Sequence, residues 1–318
     1  MAADSMGGAG GAPTGSSGRI ASDARWLAAA AAGLVAAVLA LLAFRGLPGG
    51  AIALWASPLP LFLAGIGFGG GAALLAVAIA SLAILFSSNT LGFGLFLGAF
   101  GAPVAALVLS AGRGATADLR LPFALLGVIP AFGIALAAFQ LAGEPGGLEG
   151  AMRHAAEIGL ARMGLPAPEA MVAELVRVKA AAIGFWVAIA LLVNAAAAGA
   201  LLVRLGVVAE APRWREARLP GWYLALPAVA ALLWLLADDG ADAVPLSLLL
   251  ALLVPVFLHG LAAFHRATRG LSGRAMVMGG AYAALLLMAV PVALAATGYG
   301  LFDILNANRG RPAPPPHS

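Results

Sequence analysis

The chain has no cysteine, a single lysine (Lys179), and a charged fraction of only 10% in 318 residues. Without cysteine there is no disulfide, thiolate nucleophile, iron–sulfur cluster or cysteine zinc site. The scarcity of charge excludes more. An average soluble domain is about 25% charged and about 45–50% apolar, whereas this chain is 62% hydrophobic with a mean hydropathy of +0.99. Its polar residues are too few to cover a soluble fold of this length. A soluble enzyme, a disordered protein and a nucleic-acid module are therefore excluded. No zincin motif, P-loop or Gly-x-Ser-x-Gly occurs, so an intrinsic ATPase activity is excluded as well. All 14 acidic residues fall in loops or tails, which argues against a pump built on intramembrane carboxylates. The expectation is a non-enzymatic protein with no catalytic residues, no metal and no cofactor.

What the sequence does contain is long apolar runs. Nine of them lie near 26–44, 50–68, 71–87, 91–110, 121–141, 180–204, 221–237, 244–265 and 275–298. About 20 helical residues cross ~30 Å of hydrocarbon, and the runs are continuous rather than alternating, so helices are expected and a barrel is not. The predicted fold is an all-α polytopic transmembrane bundle. Only Gly69–Gly71 separates the second and third runs, which leaves eight or nine spans. Residues 1–25, rich in Gly, Ala and Ser, read as a disordered tail, 26–308 as the membrane domain, and the proline-rich 309–318 as a second tail,.

Seventeen of the 18 basic residues are Arg, and they sit in short loops. With nine spans one side receives Arg19, Arg25, Arg113, Arg120, Arg204, Arg213, Arg215, Arg218, Arg266, Arg269 and Arg274, eleven in all. The other receives seven: Arg45, Arg153, Arg162, Arg177, Lys179, Arg309 and Arg311. Basic loops favour the cytoplasmic side, so the N-terminus is predicted to be cytoplasmic and the loops to meet anionic lipid. The basic C-terminal tail fits poorly on the outside, a hint that one run does not span.

The segment 142–179 is the one sizeable extramembrane piece. Leu148, Met152, Ala155, Ala156, Gly159 and Met163 fall on one helical face, with Glu149, Arg153 and Glu157 on another,. Gly164-Leu165-Pro166 should end this helix, and a second starting near Pro168 can run into the sixth apolar run,. An amphipathic hairpin on the membrane surface is expected, with a lid or partner-docking element as the sharper alternative.

Few residues can carry chemistry. Pro58 and Pro60 remove two helix donors from the second run and predict a break,. At membrane depth such a break marks either a kink or a transport site. Asn194 lies in mid-span, where it serves as structural glue or as a ligand contact,. His259 and His265, six apart, are ~120° apart on a helix and cannot chelate one metal, whereas His259 and Arg266 share a face,. An intramembrane ionisable residue is a functional hypothesis by default. Asp303 reads as a cap or anchor after the last span. Small residues at Gly65, Gly67, Gly94, Gly98 and Gly199 are candidates for close helix packing,.

Several groups occur in a recognisable order: Pro58-Leu59-Pro60-Leu61 with Gly65 and Gly67, the Asn194 span, Leu219-Pro220-x-Trp222, His259-Gly260-Leu261-Ala262-x-x-His265, and Gly300-Leu301-x-Asp303. In these the chain resembles the YybS-like family of uncharacterised bacterial inner-membrane proteins, over roughly residues 26–309. His259 stands where the family pattern has Gln. The resemblance brings no established activity. It implies a multi-pass protein of the bacterial inner membrane. The first half is also similar in pattern to the substrate-binding subunits of energy-coupling-factor vitamin transporters. The resulting expectation is a small-molecule binding protein of a transporter, with Pro58, Pro60, Asn194 and His259 around a cavity between the second, sixth and eighth runs. Its partners would be the lipid bilayer, other membrane subunits or an ATPase module, and no nucleic acid. A scaffold or assembly factor acting through its loops is the alternative.

Overall fold

A computed structural model of the chain describes residues 16–112, 118–166, 168–238 and 241–309. Among these residues the regular structure is entirely helical, and eight helical segments are long and apolar enough to cross a membrane. The molecule is an all-α, multi-pass membrane bundle.

The first half is a tight cluster of helices. α1 (Ser16–Phe44), α4 (Gly70–Ser87) and α6 (Ala102–Ala111) surround a kinked pair, α2 (Gly50–Ala56) and α3 (Pro58–Phe68). Ala36, Ala40, Ala73, Ala76 and Ala80 are wholly buried, and Gly33 lies against the Ala76 carbonyl. Without a hydrophobic drive between helices in lipid, such small side chains let α1 and α4 approach closely enough to gain packing. α5 (Thr90–Phe96) starts at Asn89, whose side chain accepts the Gly92 N–H at 2.7 Å, and continues through one π-helical turn, Leu97–Gly101, into α6.

The second half begins with α7 (Arg120–Gln140) and the extramembrane α8 (Gly147–Arg162). α9 (Glu169–Arg204) starts after Pro168 and runs unbroken for 36 residues, about 54 Å against the ~30 Å of a bilayer. Its first turns therefore project from the membrane and carry α8, whose Leu160 packs on Val172 and Val176. Gly164, at φ 66°, closes α8 as its position predicts,. The buried stripe of α8 is Leu148, Ala156 and Leu160 rather than one extending to Met163, which is exposed. Arg153 reaches across to Glu169 at 2.7 Å.

Four expectations need correction. α1 starts at Ser16, so residues 16–25 extend the first helix rather than belong to a tail. From here the glycine density falls and Ile20, Ala21 and Ala24 favour helix,. The rest of that tail, and all but Arg309 of the proline-rich one, lies outside the described residues. The seventh run, 221–237, is not one helix: α10 (Ala225–Leu235) has 11 residues, about 17 Å, and the chain before it is irregular. The ninth run, 275–298, divides at Met288 into α12 (Arg274–Leu287) and α13 (Ala289–Arg309). Pro291 has no N–H for the Leu287 carbonyl and its ring would strike that carbonyl, so the helix must restart. Finally, a Cβ at Gly94 or Gly98 would meet nothing within 4 Å. The buried face of this element carries Phe96, Phe100 and Val104 instead, on the opposite side.

α11 (Ala243–Ala267) is the axis of the second half and packs on α7, α9, α10 and α13. α13 crosses α11 where Gly260 and Gly300 lie against each other. Gly260 faces the Ala296 carbonyl and Gly300 the Val256 carbonyl, so backbone touches backbone. α12 lies level with the C-terminal end of α11: Met278 sulfur contacts Thr268, and Tyr282 meets His265. The loops gather by charge. At one end lie Arg25 beside Gly71, the Asp118–Arg120 start of α7, the segment after α9 and the C-terminal end of α11. At the other, Arg177 of α9 pairs with Asp242, which also accepts from Trp234 at 3.4 Å.

Candidate functional site

The residues named around a central cavity occupy two separate places. Pro58, Pro60 and Asn194 do come together. Pro58 and Pro60 have no N–H, so the carbonyls of Leu54 and Ala56 lose their usual donors four residues on. The backbone nevertheless stays helical at Ser57 (φ −61°, ψ −26°). The Leu54 carbonyl accepts both the Ser57 N–H at 3.1 Å and the Ser57 hydroxyl at 2.7 Å. The neighbouring Trp55 carbonyl accepts the Asn194 amide at 2.8 Å. The result is a repaired kink. Ser57, Leu61 and Leu191 are all completely buried around it, so packing fills the space expected to hold a ligand.

His259 lies elsewhere, between α11 and α13. Its Nε2 is 2.8 Å from Asp303 Oδ2, and Arg266 donates to the same oxygen at 2.8 Å. His259 and Arg266 thus share a face, as their spacing of seven predicts, while His265 turns to the Tyr282 hydroxyl at 2.7 Å. Asp303 is not a cap beyond the last span. It lies inside α13, because the break at Met288 moves that helix onward in sequence. Of the packing glycines, Gly65 closes on Val108, Gly67 on Leu202, and Gly199 on Pro212.

The open space is at the Arg-rich end. A cavity of about 920 Å³ lies between the glycine-rich end of α3, the ends of α6 and α7, and the chain after α9. None of Pro58, Pro60, Asn194 and His259 lines it. Gly65, Gly67 and Gly69 form one wall, and Val208–Arg213 with Glu216–Arg218 forms another. Gly69 at φ 93° makes the sharp turn into α4, which only glycine adopts without strain,.

The second wall is irregular backbone from Leu205 to Leu224, apart from one 3₁₀ turn at Trp214–Glu216. It descends into the bundle. The backbone of Ala217 lies beside His259, and the Tyr223 hydroxyl donates to the Leu252 carbonyl at 2.8 Å, midway along α11. Gly127 of α7 leaves room for that hydroxyl. Irregular backbone at such depth is tolerated only where protein buries it or it lines a wet cavity. Tyr223 supplies the first condition on one side, and the 920 Å³ space the second on the other.

The lining carries three carboxylates and three guanidinium groups. Arg120 is 4.0 Å from Asp118, and Arg213 is 3.3 Å from Glu210 and 3.8 Å from Glu216. Arg218 makes no ion pair among the described residues, which leaves one guanidinium fork free for a bidentate anion,. Sequence reasoning missed this site because the apolar stretch 221–237 reads as a span. The available signal was Pro212, Pro220 and Gly221 within twenty residues that lack any helical apolar period,.

No family model, curated protein or solved structure matches this chain.

Proposed function

We propose that this is a non-enzymatic membrane protein that binds a small polar molecule at its Arg-rich end, as the substrate-binding subunit of a transporter would. The observation behind this reading is the 920 Å³ cavity walled by irregular backbone that enters the bundle. Its volume falls within the ~300–1,000 Å³ typical of ligand pockets. Short or interrupted spans beside such backbone are the usual pointer to a transport site. The free Arg218 selects a ligand with a carboxylate or phosphate, while the internally paired charges offer it polar contacts without a net field.

The positive-inside rule assigns the Arg-rich end, and with it the N-terminus, to the cytoplasm. On that assignment the cavity opens toward a cytoplasmic ATPase partner. Membership of the YybS-like family, and with it a bacterial inner-membrane location, rests on the sequence motifs alone. A scaffold acting through 142–179 is less favoured here, since α8 spends its apolar stripe on α9.

The test is a thermal-shift screen of the detergent-solubilised protein against small carboxylates and phosphate esters. A ligand of the native state raises the melting temperature in proportion to its saturation. Arg218→Gln should abolish the shift for anionic compounds, and Ala209→Trp, which fills the cavity, should abolish it for all. A shift that survives Ala209→Trp, or no shift with any compound, sinks the reading. Recovery of an ATPase with the tagged protein from its own membranes would then separate transport from simple binding.

A further inference from the structure

A second, smaller space lies away from this cavity, on the lipid-facing side of the Arg-rich end. It is a groove of about 230 Å³ between α11, α12 and α13. Its walls are almost wholly apolar: Leu261 and Phe264 on α11, Met278 and Leu285 on α12, Val292 and Ala295 on α13. Its polar side chains are His265 and Tyr282, which are bonded to each other, and Tyr299. That volume holds roughly eight groups of about 30 Å³ each, a stretch of hydrocarbon chain rather than a compact metabolite.

The charge at its mouth says what kind of chain. Arg274 opens α12, and Met278, Ala281, Tyr282 and Leu285 follow it at four, seven, eight and eleven residues. These positions share one helical face, so Arg274 stands at the end of the stripe that lines the groove. Arg215 and Arg274 both act electrostatically on His265. Arg269 lies in the turn between α11 and α12. None of Arg215, Arg269 and Arg274 makes an ion pair among the described residues, whereas Arg266 is already held by Asp303. Groups facing the mouth are thus basic or neutral, apart from the Asp303 that Arg266 engages.

We infer that this groove is a binding site for one anionic membrane phospholipid, with an acyl chain along Phe264, Leu285 and Val292 and its phosphate at Arg274. The position of α12, level with the end of α11, sets Arg274 at headgroup depth while the α11–α13 wall runs toward the bilayer centre. Apolar burial supplies retention and the unpaired arginines supply headgroup selectivity, as basic pockets between membrane helices do.

The probe is dioleoylphosphatidylglycerol against dioleoylphosphatidylcholine, titrated onto the delipidated full chain and read by native mass spectrometry. One phosphatidylglycerol should stay bound under activation that strips phosphatidylcholine. Arg274→Gln should lower its retention about fivefold, the effect of one near-surface cation. Ala281→Phe, which fills the groove from its exposed rim, should remove the bound lipid altogether. Arg162→Gln removes the same charge from α8, at the opposite end of the molecule, and should change nothing. Equal retention of the two lipids overturns the site. So does a loss in Arg162→Gln matching that in Arg274→Gln, or a bound lipid that persists in Ala281→Phe.

Discussion

Asn194 and Trp55 lie 139 residues apart in sequence and are joined by one hydrogen bond, the Asn194 amide donating to the Trp55 carbonyl at 2.8 Å. The same amide donates to Ala190 one turn back in α9, also at 2.8 Å. A polar side chain that would cost energy at membrane depth is thereby used to satisfy backbone next to the Pro58 kink, and α9 is tied to the end of α2.

Replacing Asn194 with Leu should therefore act on stability. The Trp55 carbonyl would lose its side-chain donor beside the completely buried Ser57, Leu61 and Leu191, at a cost of about 1–2 kcal/mol,. Unfolding by titration of SDS into mixed micelles would register this as an earlier midpoint. Ligand shifts at the Arg-rich cavity should remain. A variant of wild-type stability that has lost ligand binding would return Asn194 to the list of ligand contacts.

Asp242 gives a pH dependence outside the membrane spans. Its hydrogen bond from Arg177 is the main influence holding its carboxyl below the usual aspartate range, with Trp234 and the charge of Arg177 adding to it against partial desolvation. A depressed folded-state value means that the folded protein binds the proton less readily than the unfolded chain. The contribution to stability is full above the ordinary aspartate value of about 3.9 and fades as pH falls through the lower folded value. Wild type should be more stable than Asp242→Asn at pH 7, and the two should converge as the pH is lowered below about 4. Parallel unfolding curves at pH 7, 5 and 3 decide it, and a constant difference across them would show that the pair does not act through ionisation.

How much of this was legible in the sequence follows from the physics of each signal. The apolar runs fix the helices because hydrocarbon leaves backbone groups no other partner, and α9 and α11 lie where their runs predict. Pro58 announced its kink because a missing N–H is local information. The repair by Asn194 is not local, since nothing in residues 50–60 says which distant amide will arrive. The break at Met288 had a local cause in Pro291, masked because α12 and both ends of the break are equally apolar. The cavity was hidden for a related reason. Tyr223, Leu224 and Trp222 are hydrophobic enough to imitate a span while serving as a buried turn, and only the contact of Tyr223 with Leu252 distinguishes the two.

The crossing of α11 and α13 should be intolerant of a single methyl group. A Cβ at Gly260 would overlap the Ala296 carbonyl, and one at Gly300 the Val256 carbonyl, backbone atoms that cannot rotate away. Gly260→Ala should force the helices apart and cost about 1–3 kcal/mol. Gly298→Ala is the control, because a Cβ there meets nothing within 4 Å. As the chain has no native cysteine, a paired cysteine substitution at Val256 and Ala296 would report the separation directly by its cross-linking rate. Equal cross-linking with and without Gly260→Ala would disprove the close approach.

Asp303 should matter more than either of its partners. One carboxylate oxygen serves both His259 and Arg266 at 2.8 Å, and these two residues come from one face of α11 while Asp303 comes from α13. His259 is nearly fully buried, whereas the Asp303 and Arg266 side chains are 38% and 34% exposed. Solvent therefore screens much of the charge–charge attraction, which limits the Arg266 pair to about 1 kcal/mol. The larger loss on Asp303→Ala comes from His259, left without its acceptor in a buried position, about 1–3 kcal/mol. His259→Leu removes that need together with the residue and should cost less than Asp303→Ala. The double variant should then be little worse than Asp303→Ala alone, since groups sharing one hydrogen-bonded network are not additive. Midpoints of SDS-induced unfolding for the four proteins of this cycle provide the check. Strict additivity would mean that the contact of His259 with Asp303 contributes nothing to the docking of α13.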